Sequence, residues 1–203
     1  LDVASEGPLS KKRETSYLFN YRYSTTGLMN KVNPAGEQEQ VLDYQDLNFK
    51  FTLPTEKAGT FSLWGTTLVD KVKPKINTPD KWDYADDAKD SRMKQTSAAA
   101  GLTHRYAFKN GGVWKTTLAA TYAKTNAWES IYDSQMKSSP RLDFRSQYTH
   151  LVLTSSFNKK YSPKHTNKTG FTVTHMMYDM DFDLSPFYAQ PMHRISEGKG
   201  NTN

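Results

Sequence analysis

The chain has 203 residues, enough for one domain with a sizeable core, with a mean hydropathy of -0.78 and a formal charge of +6. It holds no cysteine, which excludes thiol catalysis, disulfides and thiolate metal sites. No run approaches the roughly 18 apolar residues of a membrane helix, but the same averages admit a barrel, whose strands are polar at every second position.

Taken in chain order, the segments alternate with period two, and helical periodicity is scarce. A short opening strand is expected at "LDVASEGPL", with no apolar leader-like core, so a signal peptide is not read here. The basic run Lys11, Lys12 and Arg13 follows in an apparent turn and reads as solvated rather than as a nucleic-acid patch. "SYLFNYRYST" places Tyr17, Phe19, Tyr21 and Tyr23 opposite Leu18, Asn20, Arg22 and Ser24. "YQDLNFKFTL" sets Leu47, Phe49, Phe51 and Leu53 against Asp46, Asn48, Lys50 and Thr52. "GTFSLWGTTLV" continues with Phe61 and Leu63 opposite Ser62, though Trp64 blurs the alternation.

Leu102, His104, Tyr106 and Phe108 then oppose Thr103, Arg105 and Ala107. Trp114, Leu118, Ala120 and Tyr122 oppose Lys115, Thr117, Thr121 and Ala123. Leu151, Leu153 and Phe157 oppose His150, Thr154 and Asn158, and Phe171 with Val173 opposes Thr172 and Thr174. The expectation is about eight strands.

Four connections are short and carry Pro, Gly or Asn: Ser10–Glu14, Pro54–Gly59, Lys109–Gly112 and Ser162–Asn167. Three are expected to be long and polar: Met29–Asp43, roughly Lys73–Arg92 and roughly Asp133–Arg145, with a further polar stretch at Ser185–Asn203. Strict alternation of short and long is what an up-and-down meander gives when only one rim is elaborated, as in outer-membrane barrels. The fold class expected is therefore all-β, an up-and-down antiparallel transmembrane β-barrel. The rings then face lipid, and Asn20, Arg22, Asp46, Asn48, Lys50, Arg105 and Lys115 face the lumen.

The phrases "EGPLSKK…SYLFNYRYSTTGL", "YQDLNFKFTLP…AGTFSLWG", "LTHRY" and "TTLAATYAKTNAWE" resemble the barrel of outer-membrane TonB-dependent receptors. The likeness is to the type that carries an N-terminal domain of the carboxypeptidase-regulatory kind. The resemblance spans essentially the whole chain. It implies a segment of a 22-stranded barrel, with the plug and TonB box lying outside residues 1–203. It further implies ligand uptake across the outer membrane, driven through TonB, ExbB and ExbD acting on those missing segments. Implied partners are membrane lipid and lipopolysaccharide, a surface lipoprotein, and a small-molecule, glycan or metal-chelate ligand; neither nucleic acid nor a cofactor is implied.

Ligand candidates in the predicted external loops are Trp82, Tyr84, Asp86, Asp87 and Trp128, the last also placed where a strand would leave the membrane as an interfacial aromatic. Asp179, Asp181 and Asp183 have the 1, 3, 5 spacing of a calcium loop, but Leu184 and Gln190 occupy its glycine and glutamate positions, which excludes an EF-hand. They read mainly as a solvated strand extension and secondarily as a divalent-ion site. The five histidines are scattered, and no nucleophile elbow, phosphate loop or dinucleotide turn occurs; no enzymatic activity is expected. Two other readings fit the alternation: a complete eight-stranded barrel with a structural or adhesion role, and a soluble β-rich carbohydrate-binding module.

Overall fold

The computed structural model describes residues 1–10, 14–25, 40–74 and 78–202, with the side chains of 25, 40, 41, 74, 85 and 86 left out. The Lys11–Arg13 run, most of the Met29–Asp43 connection and the side chain of Asp86 thus lie outside the described residues.

The chain is all-β, with 81% of the described residues in strands, joined in one antiparallel sheet whose spatial order is the chain order. The strands are β1 (Asp2–Ser10), β2 (Thr15–Thr25), β3 (Gln40–Thr55), β4 (Gly59–Pro74), β5 (Lys89–Ala107), β6 (Gly112–Tyr132), β7 (Ser138–Ser162), β8 (His165–Leu184) and β9 (His193–Thr202). Two 3-10 turns, Pro79–Lys81 and Ala85–Ala88, lie between β4 and β5. The sheet is open: among the described residues β1 pairs with β2 and β9 with β8, and these two edge strands do not meet.

Three expectations are corrected. Among the described residues there are nine strands rather than eight, because the polar terminal stretch from Ser185 contains β9. The alternation in "HRISEGKGNT" is too poor in large apolar residues to announce a strand. What makes it one is pairing, from Leu184↔His193 to Met176↔Thr202. The third long connection also disappears, since β6 and β7 run on as a hairpin and leave only 133–137 between them. Asp133 closes that turn by accepting the backbone N–H groups of Gln135 and Lys137, both at 2.9 Å, an Asx-type arrangement that lets a polar residue end a strand. Strict short–long alternation is therefore replaced by a milder asymmetry. Turns at one end span 11–14, 56–58, 108–111 and 163–164; connections at the other span 26–39, 75–88, 133–137 and 185–192.

The short turns have the chemistry their sequence promised. Gly111 adopts φ +80°, a conformation that L side chains resist. The turn is locked by Gly111 N–H to the Phe108 carbonyl and Phe108 N–H to the Gly112 carbonyl. Thr55 Oγ1 donates to the Gly59 carbonyl at 2.7 Å and accepts from Ala58 N–H at 3.0 Å.

Among the described residues no second layer covers the sheet. Ala88 is the one buried hydrophobic residue among those described, while Phe19, Leu118, Leu151 and Phe171 are 41%, 59%, 46% and 56% exposed. A sandwich would bury one whole face; here the large apolar side chains stand unburied.

Candidate functional site

The register assigns every described strand residue to one of two faces, because directly opposed residues share a side. One row across the sheet runs Val3, Tyr21, Leu47, Thr67, Ala98, Tyr122, Thr149, Met177 and Asn201. Its side is called face 1, and the opposite side face 2.

Between this row and the short turns, face 1 is apolar. It carries Tyr17 and Phe19 on β2, Phe49 to Leu53 on β3, and Phe61 and Leu63 on β4. Leu102 and Tyr106 follow on β5, Trp114 and Leu118 on β6, Leu151 to Phe157 on β7, and Phe171 and Val173 on β8. Rings pack edge-on along its lower margin, Tyr106 on Phe108 at 4.8 Å and Phe108 on Phe157 at 6.0 Å between centroids.

Both the band and the short-turn rim drift across the sheet. From the reference row, β1 and β2 reach their turn in six or seven residues, whereas β7 and β8 take twelve or thirteen. That is about six residues over six strand steps, or roughly 20 Å of descent across roughly 29 Å of sheet at ordinary spacings. The incline is about 35°, the tilt of strands in a closed barrel. The rings move with it, from Tyr17–Tyr23 straddling the row on β2 to Leu151–Phe157 wholly below it on β7.

Face 2 over the same span is polar, and all seven predicted lumen residues lie on it. They do not form one group. Asn20, Arg22, Asp46 and Asn48 join a network: the Arg22 guanidinium is 3.5 Å from Asp2 and 4.0 Å from Asp46. Asn20 Nδ2 donates to Asp2 at 3.1 Å, Asn48 Nδ2 to Asp46 at 3.3 Å, and Thr66 Oγ1 to Asn48 Oδ1 at 2.6 Å. Lys50, Arg105 and Lys115 have no carboxylate partner among the described residues. Trp64 does interrupt the polar face: it lies on face 2 with Ser62 and Thr66, its Nε1 donating to Thr103 at 3.2 Å. Its ring covers Gly101, where a Cβ would come within 2.6 Å of it. Phe49 covers Gly65 in the same way on face 1.

Beyond the row the faces exchange character, most plainly on β7 and β8. Face 1 now carries Asp143, Arg145, Gln147, Asp179, Asp181 and Asp183, and face 2 carries Phe144, Tyr148, Tyr178, Met180 and Phe182. Phe144 and Phe182 meet edge-on at 5.9 Å. This face-2 apolar set was missed in the sequence, although "THMMYDMDFDL" displays it: the apolar parity switches from odd to even around His175 to Met177.

The three aspartates are spoken for. The Arg194 guanidinium bridges Asp181 at 3.1 Å, Asp183, and Glu197 at 2.8 Å, and Lys199 Nζ is 3.3 Å from Asp179. They are cross-strand ion pairs on the face-1 extension, and no group of three metal-ligating side chains occurs among the described residues.

The external-loop candidates are not assembled into one pocket. Tyr84 projects from 75–88 and is 78% exposed, while Asp87 is a turn cap whose Oδ2 accepts N–H groups of Asp83 and Tyr84, each at 2.8 Å. Trp82 shares that connection. Trp128 is corrected from loop to strand: it stands on face 1 of β6, with the Arg92 guanidinium 5.5 Å over its ring, a cation–π contact. Asp90, buried on β5, holds the same guanidinium at 2.6 Å.

Among the described residues no helix is long and apolar enough to cross a membrane. No protein-family model, curated protein or solved structure matches the chain.

Proposed function

We propose that this chain is part of the wall of an outer-membrane β-barrel transporter of the TonB-dependent kind. Ligand is captured above the membrane and passes along face 2 once a plug is displaced. The observation that carries the proposal is the inclined apolar band on face 1. It is seven to nine residues deep on β2, β3 and β6, close to the 9–11 residues that a tilted strand needs to cross hydrocarbon, and it descends in step with the short-turn rim. A water-facing sheet has no reason to keep rings in a stripe that follows the inclined rim, whereas a bilayer requires one. Above the stripe face 1 turns to ion pairs, as it must where lipid gives way to water. The short turns are then periplasmic and the longer connections external.

The smaller-barrel alternative requires the first strand to pair with the last, and the open edges of β1 and β9 count against it. An isolated sheet with two bare edges invites further pairing, which suits a wall section of a wider barrel. Spin labels test the reading directly. In lipid vesicles, labels replacing Phe19 and Phe49 are expected to be accessible to oxygen, and labels replacing Asn20 and Asn48 to a water-soluble nickel chelate. The reverse pattern, or water access at all four, ends the proposal.

A further inference from the structure

Charge is distributed along the strands as unevenly as apolarity. Residues 91–128 and 144–178 contain no aspartate or glutamate, so the lower halves of β5 to β8 are free of acids. Four cations stand on face 2 of that region, one per strand: Arg105, Lys115, Lys160 and Lys168. Each is two or three residues from its short turn, so together they follow the inclined rim as a collar just inside it. All four are exposed, and none has an ion-pair partner among the described residues. Arg105 is directly opposite Lys115, a like-charge arrangement that destabilises a sheet unless something anionic lies over it.

We infer that this collar is the docking surface for an acidic polypeptide segment lying against face 2 near the short-turn mouth. The inference rests on the barrel reading only in naming that face the lumen. Three considerations select the occupant. Its charge must be negative, since the collar carries four positive groups and the surrounding wall no acid. Its reach must be that of a polypeptide: from Arg105 to Lys168 the collar crosses three strand spacings, roughly 14 Å, and Lys160 lies a further roughly 13 Å down β7 from the Arg105–Lys115 row, more than one small anion spans. Its contacts must also be exchangeable, because exposed lysines on flexible stems hold an acidic partner by long-range attraction that salt screens.

The test uses the protein in detergent micelles and a fluorescent peptide of ten glutamates, with binding read by anisotropy. Binding is expected at low salt, weakening at least ten-fold by physiological ionic strength. The double variant Arg105→Glu with Lys115→Glu should lose at least ten-fold in affinity, and the milder pair Arg105→Gln with Lys115→Gln at least three-fold. The face-1 pair Lys94→Glu with Lys124→Glu should stay within two-fold. Circular dichroism checks that each variant keeps its sheet, and the glutamine pair serves if the reversal does not fold. Equal losses from the face-1 pair, or none from the collar, would overturn the inference. So would complete displacement of the peptide by citrate at the same carboxylate concentration, which would make the collar a small-anion site. A reversed spin-label pattern with collar-dependent peptide binding intact would sink the lipid-facing assignment alone.

Discussion

The lower and upper halves of β7 and β8 are made from the same alternation and present opposite chemistry on face 1. Below the reference row, face 1 presents Leu151, Leu153, Phe171 and Val173; above it, the same face presents Arg145, Asp143, Asp181 and Asp183. Period two fixes only that neighbours differ. Which neighbour is apolar is set by what each face touches, so a strand that passes from one surrounding to another must switch parity at the boundary. β8 does so around His175 to Met177, and β7 around Thr149 to Leu151. On the proposed barrel-wall reading, the exchange marks where lipid gives way to water more sharply than either half alone, because a strand wholly in one surrounding has no cause to make it.

The comparison breaks first under charge. Leu118→Arg puts a cation in the middle of the lower apolar face and is expected to cost about 2–4 kcal/mol in vesicles, the penalty for a charge near the bilayer midplane. Gln147→Arg puts the same charge on the same face above the switch, where it gives up only the hydrogen bond from the Tyr122 hydroxyl at 3.2 Å, and is expected to cost no more than about 1 kcal/mol. Urea titration of both variants in phospholipid vesicles measures the contrast; equal costs would remove the boundary. Glycines sharpen it at a smaller scale. Gly101→Ala drives a methyl against the Trp64 indole at 2.6 Å, with Leu118 carbonyl oxygen at 3.0 Å leaving no slack, and should cost about 1–3 kcal/mol through overpacking. In the upper half, Gly198→Ala meets Tyr178 at an ordinary 3.4 Å and should cost less than about 1 kcal/mol by the same measurement.

The lower half was largely legible in the sequence because each strand there alternates without interruption and each short turn carries its own punctuation. Residues such as Asn20, Asn48 and Lys115 could be assigned to a face by counting. Two properties escaped counting. Strand length above the switch depends on cross-strand pairing, so β9 and the 133–137 turn were hidden in polar sequence that resembles a loop. Partnership was hidden too: Arg22 and Arg105 look alike in sequence, yet the register brings Asp2 and Asp46 to the first and Lys115 to the second. A metal reading of Asp179, Asp181 and Asp183 had the right common face but could not anticipate Arg194, which reaches them from the strand that sequence periodicity did not reveal.

The smallest effect expected is at the top of the upper half, where the 185–192 connection folds onto the β6–β7 turn. Tyr188 donates its hydroxyl to Asp133 Oδ2 at 2.8 Å, and Ala189 N–H donates to Ser139 Oγ at 3.0 Å. The Lys137 N–H, then the Tyr188 hydroxyl, and also the Gln135 N–H hold the Asp133 carboxyl below its ordinary range. The group binds its proton less readily folded than unfolded, so its contribution is complete above the unfolded value and is lost as pH falls through the lower folded one. The Asp133 carboxylate in turn holds the Tyr188 hydroxyl above its usual value, which keeps the donor protonated through neutral pH. Protection factors of the Lys137 and Ala189 amides should therefore be flat across neutral pH and fall only below about pH 4, the ordinary aspartate range. Asp133→Asn should flatten the profile and lower the plateau, because an amide oxygen is a weaker acceptor than a carboxylate. The turns at the opposite rim have no such clasp among the described residues, so the amide of Gly111 should show no acid step. An acid step of equal size there, or one that survives in Asp133→Asn, would mean that acid loosens the whole sheet rather than releasing one carboxylate from its three donors.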